Sequence, residues 1–194
     1  RWKGSLPTMR PGHREKVQQF RNSLQDLEGV TAVGAWLSGN GLAAVTADLD
    51  ERFVPRWVGY PASYGPATGK GGISYADSVA QGVRSLRRAV EDSAGPVMIV
   101  GYSQVAVVVR HCVHELERDG DSSVDRILGL GFVADPHQPP GVVSRCSGWG
   151  VAGEGPPLPD RIPAWWVGAP TDMICNAEPD SLIRDIADLT ASLE

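Results

Sequence analysis

Ser103 lies in Gly101-Tyr102-Ser103-Gln104, between the apolar run Pro96-Val97-Met98-Ile99-Val100 and the run Ala106-Val107-Val108-Val109. A strand, a tight turn carrying a serine, and a helix form a nucleophile elbow. The turn strains the backbone and lifts the hydroxyl above the edge of a sheet. A serine so placed attacks an acyl carbonyl, and water then releases the acyl group. The usual spacing around such a turn is G-x-S-x-G, and here Val105 replaces the last glycine. A β-branched side chain is a poor occupant of so sharp a corner. The competing reading makes Ser103 an ordinary helix N-cap.

Acyl transfer also needs an acid, a base and an oxyanion hole. The first acid candidate is Asp172, which follows Ala164-Trp165-Trp166-Val167 and a short loop. Asp135, in Ala134-Asp135-Pro136-His137, is the second, with the alternative role of shaping its own loop. In folds of this kind the order along the chain is serine, acid, histidine. The four histidines are His13, His111, His114 and His137, and none follows Asp172. His13 reads as solvated on an N-terminal helix. His111 and His114 lie two or more turns along the helix after Ser103. His137 is on the right rim but in the wrong order. The oxyanion donors expected are the backbone N–H of Gln104 and one from the loop after the first strand, at Ala35 or Trp36.

The elements that must hold these residues alternate. Residues 11–27 show helical spacing of Val17, Phe20, Leu24 and Leu27, and Gly29 ends that helix. Strands are expected over 30–36, 54–60, 97–100, 126–133 and 164–167, with Pro55 pointing the second towards a sheet edge. Helices are expected over 42–53, 74–92, 106–118 and 180–193. This pattern predicts an α/β fold: a three-layer, hydrolase-like sandwich with a mostly parallel central sheet and helices on both faces. Ser103 and the loops after residues 34, 133 and 167 then share the carboxyl edge, where such folds bind ligands. The expected domains are a helical segment, 1–29, and a hydrolase-like domain, 30–194, that lacks its C-terminal part.

With 194 residues, 42% of them hydrophobic, the chain can bury one real core. A net charge of −5 argues against a nucleic-acid partner. No apolar run is long enough to span a bilayer, and no G-x-G-x-x-G or P-loop follows the first strand. Arg1-Trp2-Lys3-Gly4-Ser5-Leu6 does not read as a signal peptide and has no initiator methionine, so the chain is expected to be processed or part of something longer. Cys112, Cys146 and Cys175 include no C-x-x-C pair, so a zinc site is not expected. Cys146 and Cys175 both fall in loops and are candidates for one disulfide. The odd count leaves the redox compartment open.

Four segments together resemble the cutinase-like serine esterases, and among them lysin B, the mycolylarabinogalactan esterase of mycobacteriophages. They are Gly101-Tyr102-Ser103-Gln104 after its strand, Tyr60-Pro61-Ala62-Ser63-Tyr64-Gly65-Pro66 before the helix at 74, Asp135-Pro136-His137-Gln138-Pro139-Pro140-Gly141, and Pro170-Thr171-Asp172-Met173-Ile174-Cys175. The likeness runs from about residue 30 to the end. It departs at Val105, a glycine in those proteins, and at Gly34-Ala35-Trp36, usually a Gly-Thr type of turn there. The resemblance implies an α/β-hydrolase fold, Ser103 as nucleophile, Asp172 as acid, hydrolysis of lipid-like esters and no metal or organic cofactor. It also implies a histidine downstream of the acid.

Two functions follow from this reading. The first is a serine esterase with a Ser-Asp-(His) triad, acting on lipid-like esters of the mycobacterial envelope from outside the cell or from a phage virion. The second is a catalytically degenerate domain of the same ancestry, a structural or envelope-binding part of a phage tail protein, in contact with other virion proteins.

Overall fold

The computed structural model describes residues 31–35, 53–65 and 72–178, the first of these as backbone. Among the described residues five strands form one sheet: β1 (Thr31–Ala35), β2 (Arg56–Val58), β3 (Val97–Tyr102), β4 (Ile127–Val133) and β5 (Ala164–Val167). Their order is β2-β1-β3-β4-β5, and every pairing is parallel. β2, which Pro55 directly precedes, lies at one end of this order. Among the described residues two helices accompany the sheet, α1 (Tyr75–Glu91) and α2 (Gln104–Arg118), with a short 3-10 turn at Ser122–Arg126 leading into β4.

α1 forms where the apolar spacing predicted it. Val79, Val83, Leu86 and Val90 are buried along one face. Ser74 caps it, its hydroxyl accepting a hydrogen bond from the Asp77 N–H at 3.0 Å, and Asp77 and Arg88 complement the helix dipole at its two ends. α2 packs against α1 and covers one face of the sheet, where Ile99, Leu130 and Phe132 join the valines of both helices in a single core. Met98 and Val100 alternate to the opposite face and are buried as well. Burial on both faces is what the near-continuous apolar run of β3 requires. This is the hydrolase-like α/β architecture that the alternating pattern predicted.

Boundaries moved by a few residues. β3 runs on to Tyr102 and α2 begins at Gln104, so a single residue, Ser103, separates strand from helix. Cys112, Cys146 and Cys175 are all buried and free, so the Cys146–Cys175 disulfide does not form. Burial pushes the thiols of Cys112 and Cys175 up to about 12. The helices expected over 11–27, 42–53 and 180–193, and with them the separate segment 1–29, lie outside the described residues.

Among the described residues no helix is long and apolar enough to cross a membrane, and no cluster of His, Cys, Asp or Glu is arranged to hold a metal ion.

Candidate active site

Ser103 has φ 54° and ψ −124°, a conformation that an L residue with a side chain seldom adopts. Its backbone belongs to both flanking elements. Its N–H donates to the Val133 carbonyl at 2.9 Å, continuing the β3–β4 ladder, and its carbonyl accepts from the Ala106 N–H at 2.8 Å, starting α2. Its hydroxyl makes no capping bond. An N-cap serine has extended backbone and spends its oxygen on the helix. Ser103 does neither, so the ordinary-cap reading fails, and the hydroxyl is left for another partner.

The same geometry explains the missing glycine. A Cβ on Gly101 would stand 2.9 Å from the backbone N and Cα of Ala106 and from the carbonyl carbon of Val105, closer than real Cβ atoms come. The first turn of α2 therefore crosses directly over Gly101, and this is the position that must lack a side chain. Val105 is fully buried and belongs to the core, and its isopropyl group packs there without obstructing the turn. Valine is therefore accommodated at this corner, contrary to the expectation from its β-branching.

Three strands end level beside Ser103. Tyr102 pairs with Val133, Val133 with Val167, and the Ala134 N–H donates to the Val167 carbonyl at 2.8 Å. Three of the four non-glycine residues with positive φ among the described residues, Ala62, Ser103 and Ala134, follow β2, β3 and β4 at this edge. Such conformations cost about 1–3 kcal/mol each and gather at functional sites. The strand order also reverses between β1 and β3, and that switch point is where open α/β sheets bind ligands. Of the expected oxyanion donors, Gln104 opens α2 directly after Ser103. Ala35 ends β1, its neighbour Gly34 paired with Val100 of β3. Trp36 lies outside the described residues.

Asp172 lies in the loop after β5, one strand beyond β4, and β5 is roughly 10 Å from β3 at about 4.8 Å per strand. Its N–H donates to the Ala169 carbonyl and one carboxylate oxygen accepts from the Ile174 N–H, both at 3.0 Å. The loop is stitched down by Asn176, which donates to the Pro170 carbonyl at 2.8 Å and accepts from the Gly148 N–H at 3.1 Å. Gln138 adds a bond to the Cys175 carbonyl at 2.8 Å. The carboxylate is thus held by its own loop, with the Cys175 thiol beside it.

Asp135 has a different task. It is fully buried and accepts from Arg110 at 3.0 Å, from the Trp166 indole N–H at 3.0 Å and from the His137 N–H at 2.9 Å. Arg110 also lies over the Phe132 ring, 5.3 Å from its centroid, and Phe132 stacks on Trp166. Asp135 therefore ties α2, β5 and its own loop together, the loop-shaping alternative read from the sequence. The neighbours that Arg110 brings were not legible there, because a valine-rich helix gives no sign that one of its arginines points inward.

His137 Nδ1–H donates to the Gly153 carbonyl at 3.0 Å, and His114 Nδ1–H donates to the Pro157 carbonyl at 3.3 Å. Burial lowers the His137 pKa, against the raising effects of the Gly153 contact and Asp135. His111 is lowered first by burial and then by His137. Among the described residues no imidazole hydrogen-bonds to Ser103 or Asp172. His13 lies outside them.

The profile of the PE-PPE domain family matches residues 53–153, more than half of the 194-residue chain. This chain belongs to the PE-PPE domain family. The PE-PPE match spans β2, α1, β3, Ser103, α2, β4 and Asp135, but stops before Asp172. No curated protein matches the chain. Among solved structures, a cutinase-like protein from Cryptococcus sp. is similar, with a TM-score of 0.52 at 14% identity over 77% of this chain and 79% of that one. ClbQ from the colibactin NRPS/PKS pathway aligns more loosely, with a TM-score of 0.38 at 15% identity over 58% of this chain and 47% of that one. The first of these places the PE-PPE chain in a cutinase-like fold.

Proposed function

We propose that this PE-PPE domain is a serine ester hydrolase. The observation that carries the reading is Ser103: a non-glycine residue at φ 54°, at the junction of β3 and α2, whose hydroxyl is not used as a cap. In this mechanism Ser103 Oγ attacks the ester carbonyl. The N–H groups of Gln104 and of residue 35 or 36 receive the developing oxyanion, and Asp172 orients the base that takes the serine proton. The alcohol leaves, and water hydrolyses the acyl-enzyme to regenerate the serine and release the acid. No metal or organic cofactor enters the scheme.

The proposed substrate is a lipid-like ester. Tyr102 and Met173, the neighbours of Ser103 and Asp172 in sequence, are exposed at 45% and 58%, and Tyr64 adds a third exposed apolar side chain from the loop after β2. An apolar rim of this kind suits an acyl chain. The cutinase-like fold and the resemblance to lysin B extend the proposal to esters of the mycobacterial envelope, reached from outside the cell or from a virion.

A second reading is favoured by the histidines. His114 and His137 both have ring nitrogens engaged by backbone carbonyls, and no described imidazole meets the serine. On that reading the domain keeps the hydrolase scaffold as a structural or envelope-binding part of a virion. Hydrolysis of p-nitrophenyl esters and labelling by a fluorophosphonate decide between them. Turnover and labelling that vanish in Ser103→Ala support the esterase. A wild-type protein that does neither refutes it and leaves the binding role.

A further inference from the structure

Gln104 carries two features that point in different directions. Its backbone N–H opens α2 beside Ser103. Its side chain is fully buried and both ends are occupied by the segment that follows β2. The Tyr60 hydroxyl donates to Gln104 Oε1 at 3.0 Å, and Gln104 Nε2 donates to the Ser63 carbonyl at 2.9 Å. These partners bracket Ala62, which is held at φ 53°. The far end of the segment is pinned independently. The Ser63 N–H donates to Ser78 Oγ of α1 at 2.8 Å, and the Ser63 hydroxyl donates to the Ile73 carbonyl at 2.6 Å.

The topology makes this attachment consequential. β2 is separated from β3 by β1. A bond from Ser63 to the residue after Ser103 therefore draws the segment back past the end of β1, towards the switch point where the substrate is expected. The segment ends in Tyr64, exposed at 45% and within 5.5 Å of Tyr75, centroid to centroid. Burial, with added pressure from Tyr64 and Tyr75, pushes the Tyr60 phenol well above its ordinary range, so it remains a donor at any working pH.

We infer that the Gln104 carboxamide is a positioning group, which fixes residues 60–64 against the elbow as one wall of the acyl site and so sets selectivity for long acyl chains. The inference rests on the serine hydrolase reading. Gln104 thus acts twice: its main chain serves the oxyanion, and its side chain holds the wall whose place decides how a long acyl chain lies. A short acyl group needs only the elbow. A long one must lie along the wall and loses binding when the wall is free to shift.

Tyr60→Phe tests this, since it removes one hydroxyl, leaves the ring in place and does not touch the groups assigned to chemistry. Kinetics are compared for p-nitrophenyl acetate and p-nitrophenyl palmitate. Acetate kcat should stay within about twofold, while palmitate KM rises roughly tenfold, in line with one buried acceptor left unpaired. Hydrogen exchange of residues 59–65 should quicken in the same variant. A palmitate-to-acetate ratio equal to that of wild type overturns the inference, even if exchange quickens, because the bond is then merely structural. Wild-type protein that hydrolyses neither ester overturns the hydrolase reading itself, and this role with it. Gln104→Glu, which keeps the size and loses the Nε2 donor, should move the ratio the same way as Tyr60→Phe; an opposite shift also overturns the inference.

Discussion

Replacing Ser103 by glycine and by alanine separates a strained elbow from an ordinary helix cap. At φ 54° and ψ −124° a side-chain-bearing residue stores about 1–3 kcal/mol of strain. Glycine relieves that strain and costs about 0.5–1 kcal/mol of extra chain entropy, leaving Ser103→Gly more stable than wild type by roughly 0.5–2 kcal/mol. Alanine keeps the Cβ and the strain. It deletes a hydroxyl that caps nothing, so Ser103→Ala should lie within about 0.5 kcal/mol of wild type. A conventional cap predicts otherwise: alanine would cost about 1 kcal/mol and glycine a few tenths, both in the destabilising direction. The sign of the glycine change therefore decides. Urea denaturation measures it, and thermal melting should show an increase of about 1–8 °C for a domain of this size. Both variants should lose esterase turnover. Destabilisation of both, with alanine the worse, would refute the strained-elbow argument, and the nucleophile assignment would lose its main support.

Gly101→Ala should cost about 3 kcal/mol or more, read as loss of soluble protein or a large fall in Tm, because its Cβ would meet the α2 backbone at 2.9 Å and backbone cannot yield as a side chain does. Arg110→Met should destabilise by about 3–5 kcal/mol in urea, since it leaves the fully buried Asp135 carboxylate without its cation; a loss below about 1 kcal/mol would mean that water reaches Asp135. Acidification should weaken the fold. His137 has a folded pKa below its unfolded value of about 6.5, so the unfolded chain binds more protons, and stability falls as pH drops through about 6.5 towards the folded value. His137→Asn should make the slope of stability against pH shallower over that window. An unchanged slope would assign the effect to other groups, beginning with His111, which is lowered in the same direction.

Much of the described fold was legible because it rests on local patterns. α1 was expected over 74–92 from its apolar spacing, and β5 was placed at 164–167 from four apolar residues between breakers. Strand and helix ends near Ser103 were each blurred by two residues. There a tight turn interrupts an apolar run that reads the same in either element. Val105 misled for a related reason: the motif names a glycine at that position, but the close approach occurs at Gly101. The sequence ranked Asp172 above Asp135 by its place after the last strand, but could not show what Asp135 binds. Asp135 and Asp172 both follow apolar strands, and their roles diverge only when Arg110 and Trp166 arrive from elements far away in sequence.

The chain by itself determined the alternation of strand and helix, the serine at a strand-to-helix junction and the apolar faces that build the core. Each depends on the period of neighbouring residues or on the conformational limits of glycine and proline. Only the tertiary structure decided that Ser103 is strained and its hydroxyl uncommitted, that Asp135 is locked in an ion pair, and that Gln104 reaches across to the loop after β2. Those outcomes are set by groups that meet across the sheet edge. Close packing, buried charge and hydrogen-bond satisfaction act there between residues whose distance along the chain carries no trace of the contact.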